Sequence, residues 1–117
     1  MLSDDTSPIK AGLWLCLATG LLATPVAAQQ APTREQSLIR KVRQDCGSCH
    51  GMHLTGGLGP ALTPAALADK PVESLAATIY GGRPGTPMPP WKTMLSEAEA
   101  TWIAQRLLAG FPQETRK

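Results

Sequence analysis

Cys46, Cys49 and His50 stand in the order Cys-Gly-Ser-Cys-His, two thiols two residues apart with an imidazole next in line. This is the pattern by which a haem is attached covalently. The turn sets the two sulfurs about as far apart as the porphyrin vinyl groups, and His50 emerges beneath the iron, where a ring nitrogen serves as proximal ligand. Other chemistry is open to the same residues. Cys46 and Cys49 can form a redox disulfide of the thioredoxin kind, but no βαβ pattern surrounds them. They can bind zinc with His50 and His53, although ligands so bunched strain a tetrahedral site. They can also close a structural disulfide, which export permits.

A haem held by one histidine needs a sixth ligand or stays open. A thioether opposite histidine raises the potential and closes the iron to exogenous ligands, as electron-transfer centres require. Met88 is the candidate, in Thr86-Pro87-Met88-Pro89-Pro90, where prolines lower the entropy of holding a weak ligand in place. Met52 lies two residues from His50 and cannot reach the opposite face. Met94 precedes a helix cap and reads as core, and His53 reads as a solvent-facing histidine in a glycine-rich loop. The second ring N–H of His50 needs an acceptor, and a backbone carbonyl of the loop ending Leu58-Gly59-Pro60 is placed to supply it. Tyr80, Arg83, Trp91 and Lys92 flank the methionine loop; of these, Arg83 and Trp91 are the candidates to bond or cover the haem propionates. A closed iron of this kind is an electron carrier and not an enzyme.

Helices must position these groups. Leu38, Ile39 and Val42 recur at helical spacing among basic residues, which predicts a helix from Glu35 to about Asp45 that delivers Cys46 at its end. Four glycines and a proline make residues 51–60 a loop. Thr63-Pro64 reads as an N-cap with proline at the first helical position, opening a brief helix through Ala68. Asp69 or Lys70 with Pro71 starts another, in which Val72, Leu75, Ala76 and Ile79 form one apolar stripe that Gly81-Gly82 ends. Four prolines exclude helix and strand over residues 83–90. Ser96 and Glu99 form a capping box for the last helix, with Ala98, Trp102, Ile103 and Leu107 on one side and Gly110 as the stop. No run alternates as a strand and no repeat is found. The expected fold is all-α, about four short helices and long loops around one haem.

The chain has 117 residues, room for one domain after a leader. Residues 11–23 form an apolar run of about 13, preceded by Lys10 and followed by Pro25 and small residues, as in a secretory signal peptide and short of a bilayer span. We place the cut after Ala28, giving a signal peptide over residues 1–28, a monohaem domain over 29–117, and a periplasmic location. Asp4 and Asp5 stand where such a leader is normally basic, which leaves an uncleaved anchor or a start codon placed too far upstream as alternatives. Cys16 follows Leu15, too bulky to precede a lipidated cysteine, and reads as part of the removed leader. The net charge of +2, without a long basic run, excludes nucleic acid as the implied partner. A soluble monomer, with no membrane contact once the leader is gone, is expected. Only Tyr80, Trp91, Trp102 and Phe111 supply aromatic area beyond the leader, too little to close a small core easily; a buried porphyrin would supply the rest.

From about Gln36 to Phe111 the chain resembles the class I cytochromes c. The residues that carry the resemblance are Cys46-Gly47-Ser48-Cys49-His50-Gly51, Gly59-Pro60, Met88-Pro89 and Trp102. It implies that the first and last helices cross at one haem edge and that the Pro60 carbonyl orients His50. A narrower likeness runs through residues 45–52, 54–64 and 82–91, which look like the small cytochrome c55X (NirC type) encoded beside the haem cd1 nitrite reductase of denitrifying bacteria. That family implies electron donation to haem cd1 nitrite reductase, or a part in haem d1 biogenesis, in which the haem accepts electrons from a maturation enzyme oxidising a precursor.

Overall fold

The computed structural model describes residues 30–114, and the expected signal peptide over residues 1–28 lies outside them. Helix α1 (Arg34–Lys41) opens at Thr33. The Gln36 N–H donates to the Thr33 hydroxyl while the Thr33 N–H donates to the Gln36 side chain, at 3.2 and 3.0 Å. This capping box is readable as Thr-x-x-Gln, and it starts the helix one residue before the expected Glu35. The rod then widens into a π turn (Val42–Cys46), closed by the Gly47 N–H donating to the Val42 carbonyl, and runs on as α2 (Gly47–His50). Cys46 therefore stands inside a continuous helical rod rather than at its end. A π turn admits one extra residue and so resets which way the following side chains face.

Thr63 caps α3 (Pro64–Leu67), accepting from the Ala66 N–H. Helix α4 (Val72–Gly81) starts just after Pro71, which takes the cap position without a side-chain cap, slightly later than the expected start at Asp69 or Lys70 with Pro71. It ends at Gly82, whose φ of 70° suits glycine. Helix α5 (Glu97–Ala109) begins with the reciprocal Ser96–Glu99 box and stops at Gly110. With the α1–α2 rod counted once, four helices and no strand make up the described residues.

The stripe of α5 differs from expectation. Ala100, Ile103, Ala104 and Leu107 are buried, Trp102 is half-buried and Ala98 is exposed. The buried four fall at i, i+3, i+4 and i+7, and Ala98 shares the flank of Trp102, four residues on. Seven aliphatic side chains form the core cluster: Leu38, Val42, Leu54, Leu67, Leu95, Ile103 and Leu107. Each contributes about 1.5–3 kcal/mol by leaving water. The first rod and α5 share this cluster and are joined outside it by the Arg34–Glu99 and Glu35–Arg106 ion pairs.

Protein atoms alone do not close the domain. None of Tyr80, Trp91, Trp102 and Phe111 is buried, and no residue of α4 is buried although Leu75 and Ile79 touch the cluster. The apolar stripe of α4 exists as expected, half-covered along its length.

Candidate haem site

His50 is held by main chain on two sides. Its carbonyl accepts from the Gly56 N–H at 2.8 Å, and the Cys49 carbonyl accepts from the Gly59 N–H at 2.8 Å. The loop can double back this tightly because glycines stand where it crosses itself. A Cβ at Gly51, whose φ is 88°, would lie 2.6 Å from the Gly56 oxygen, and a Cβ at Gly59 would lie 2.8 Å from the His50 ring. Residue 59 thus forms a flat backing for the imidazole.

The Pro60 carbonyl lies 2.7 Å from His50 Nδ1. A carbonyl oxygen only accepts, so Nδ1 carries the proton and Nε2 of the neutral ring keeps its lone pair. The free lone pair belongs to the nitrogen farther from the loop, the one able to bind a metal.

Cys46 is half-buried against the core, and burial first, then the Asp45 charge, pushes its thiol up to about 11. Cys49 is exposed, and neither is in a disulfide. Among the described residues no three His, Cys, Asp or Glu side chains gather into a metal-binding group. His53 turns instead toward a groove it lines with Arg43, Leu54, Leu62, Thr63, Pro64, Phe111 and Gln113, so the zinc arrangement is not formed.

The methionine loop has a different construction. Arg83–Thr86 is a turn with Pro84 second and Gly85 third at φ 77°, closed by the Thr86 N–H donating to the Arg83 carbonyl at 3.1 Å. The Arg83 N–H donates to the Met88 carbonyl at 3.1 Å, and the Met88 N–H to the Thr86 hydroxyl at 3.3 Å. Gly82 presses on the chain beyond, where a Cβ would sit 2.6 Å from the Pro89 carbonyl carbon. Trp91 and Lys92 N–H groups donate to carbonyls at the end of α4, tying the loop's far side to the helix. Met88 is half-buried, whereas Met52 and Met94 are 61% and 50% exposed. Trp91 is half-buried against the core; Arg83 is exposed, and among the described residues its side chain joins no hydrogen bond or ion pair.

Among the described residues no hydrogen bond joins the His50 loop to the Met88 loop. The half-covered α4 and the partly covered aromatics leave apolar area that a flat apolar group would cover, and the residue types on the two braced loops fit a haem.

Two features lie beyond the sequence signals. Arg43 is buried at 7% exposure and donates to the Phe111 carbonyl at 2.7 Å and the Pro112 carbonyl at 2.9 and 3.0 Å, locking the C-terminal segment under the rod. Its charge also stands 5.5 Å from the Phe111 ring centroid. Nothing local distinguishes it from its solvated basic neighbours. Leu54, also buried, adopts φ 61°, an uncommon conformation for leucine, at the crossing of the loop.

Comparison with known proteins agrees with this geometry. The family model described as cytochrome C oxidase, cbb3-type, subunit III matches residues 31–105. Cytochrome c55X of Pseudomonas aeruginosa is 56% identical over 101 residues, 84% of this chain and 85% of that protein. The solved structure of the c-type cytochrome NirC superposes with a TM-score of 0.66 at 57% identity, covering 69% of this chain and 95% of the other. Dihydro-heme d1 dehydrogenase of Pseudomonas aeruginosa is 35% identical over 99 residues, 84% of this chain but only 19% of that larger protein. The chain therefore belongs to the cytochrome c55X family: it has the class I cytochrome c fold, carries one covalent haem c, and is an electron carrier.

Proposed function

We propose that this cytochrome holds its haem through thioethers to Cys46 and Cys49, with His50 and Met88 as axial ligands, and donates electrons to haem cd1 nitrite reductase in the periplasm during denitrification. The observation that supports the site best is the 2.7 Å contact between His50 Nδ1 and the Pro60 carbonyl, which favours the proton on Nδ1 and so Nε2 as the ligand atom. When bound, the haem supplies a centre that gains and loses one electron without a bond being made or broken.

The residues of the chain have separate tasks in this reading. Pro60 fixes the tautomer and angle of His50. Gly59 backs the ring. The braced turn before Met88 reduces the freedom that a weakly bound thioether must lose. Trp91 covers the cofactor from the α4 side, and Arg83, its guanidinium unpaired, is the partner for a propionate. Residues 1–28 serve as the export signal, and the mature domain works as a monomer.

A second reading has its own support: a domain like this one forms part of dihydro-heme d1 dehydrogenase. In that reading the haem accepts electrons as a haem d1 precursor is oxidised. Stopped-flow mixing of the reduced cytochrome with haem cd1 nitrite reductase decides between them. Fast second-order oxidation supports the donor role. Negligible transfer despite a favourable potential, with fast reduction of the oxidised cytochrome by the dehydrogenase and its precursor, supports the second. Covalent attachment is checked separately: haem that extracts from the denatured chain into acidic acetone would contradict it.

A further inference from the structure

We infer that Arg43 is the fixed charge that holds the reduction potential of this cytochrome up, because it stands buried and unanswered by any carboxylate behind the attachment segment. The inference rests on the proposed ligation at His50. A buried arginine that bonds main-chain carbonyls is by itself an ordinary staple for a chain end. Arg43 differs from a plain staple in three respects.

Its charge is enclosed without a counter-charge. Nε donates to the Pro112 carbonyl, Nη2 donates to the Phe111 and Pro112 carbonyls, and the Phe111 ring closes another side. Carbonyl dipoles lower the cost of burying a cation but leave its unit charge in place. Among the described residues the neighbouring carboxylates are engaged elsewhere: Glu114 pairs with Arg40 at 3.1 Å and Asp45 with Lys41 at 3.8 Å. Its place is the second respect. Nη1 lies 3.5 Å from the carbonyl oxygen of Met52, the second residue after His50. Met52 in turn lies along the attachment turn, since a Cβ at Gly47 would stand 3.5 Å from its Cα. Finally, residues 46–68 contain no Asp, Glu, Lys or Arg, so no formal charge along that segment opposes or masks Arg43.

The consequence is electrostatic. One electron taken up from a donor lowers the charge of the haem centre by one unit, with no bond made or broken, so a positive charge held nearby favours the reduced form. A charge in water is screened over about 10 Å, whereas one enclosed by protein is screened much less. Arg40, three residues earlier on the same rod, carries the same charge but is exposed and neutralised by Glu114, and its field on the centre is correspondingly small.

Spectroelectrochemical titration of the holoprotein tests this apart from electron transfer to any partner, at one fixed pH because His53 lines the same groove as Arg43. Arg43→Met removes the charge and the carbonyl bonds together, whereas Arg43→Lys keeps the charge and gives up most of the bonds. Both variants should unfold in less urea than the unsubstituted protein. Only Arg43→Met should lower the potential, moving the equilibrium toward the oxidised form by about fivefold or more. Arg40→Gln, which deletes an exposed and paired charge, should leave it within about twofold. Gln113→Glu serves where the Arg43 variants fail to fold, since Gln113 is an exposed residue of the groove that Arg43 lines. The added carboxylate should lower the potential, and Gln105→Glu, at an exposed position of α5, should lower it less. An unchanged potential in Arg43→Met, an equal fall in the Met and Lys variants, or equal falls in the two Glu variants overturns the inference. The ligand assignment fails separately: a ferric protein without the near-infrared methionine band would contradict Met88 as ligand, while the difference between the Met and Lys variants would still decide the role of Arg43.

Discussion

The two loops that flank the site solve opposite problems. The His50 loop holds a strong ligand by close approach: glycines let the main chain cross within contact of the ring, and the Pro60 carbonyl fixes its tautomer. The Met88 loop holds a weak ligand by removing freedom, with Pro84, Pro87, Pro89 and Pro90 limiting the backbone and one short turn closed on itself. On the first side a substitution should act through collision and misplace the ligand. On the second it should act through entropy and strain, loosening the ligand while leaving the rest of the fold intact.

Gly59→Ala tests that contrast most severely. Its Cβ would lie 2.8 Å from the ring, so either the imidazole turns or the loop opens, at about 1–3 kcal/mol from overpacking plus loss of the Pro60 bond. Denaturation of the holoprotein should show this, with an altered ferric spectrum; unchanged spectra would mean that the loop yields freely. Arg43→Ala comes next, because it strands the Phe111 and Pro112 carbonyls, and should cost about 2–3 kcal/mol in urea unfolding without changing the haem spectrum. Gly85→Ala isolates strain on the methionine side. Its φ is 77° and no atom lies within 4 Å of the added carbon, so about 1 kcal/mol is expected from conformation alone. It should appear as easier displacement of Met88 by added imidazole, and a cost as large as that of Gly59→Ala would erase the contrast.

The smallest effect lies far from both loops. The Arg34 side chain first, then the Ser96 backbone, pushes the Glu99 carboxyl down to about 2. Its folded value lies below the unfolded one, so its contribution is complete above about pH 4.5 and is lost as pH falls toward 2. Arg34 is largely exposed and the Glu99 side chain partly covered, so Glu99→Gln should weaken the fold only slightly at neutral pH and flatten the acid limb of the stability profile.

How much of this was legible in the sequence follows from which forces are local. The caps at Thr63, Ser96 and Gly110 are written in residues a few positions apart, and those elements lie where the pattern places them. The Cys46–His50 motif and the proline run around Met88 are local in the same way. The π turn has no residue signature, because what defines it is backbone bonding across five residues, as from the Gly47 N–H to the Val42 carbonyl. Arg43 reads as one more solvated cation until the C-terminal segment returns to offer its carbonyls. The α4 stripe was readable as apolar, but its half-covered state depends on what else reaches it. The stripe of α5 was displaced at Ala98 because small residues satisfy either flank of a helix.

The axial pair is the centre of the account, and one pair of spectra tests it. The oxidised protein should show the near-infrared absorption of methionine bound to ferric haem, and the reduced protein should exclude carbon monoxide; Met88→Ala should abolish the first and admit the second. Spectra unchanged by that substitution would contradict the account, since another residue would then hold the sixth position.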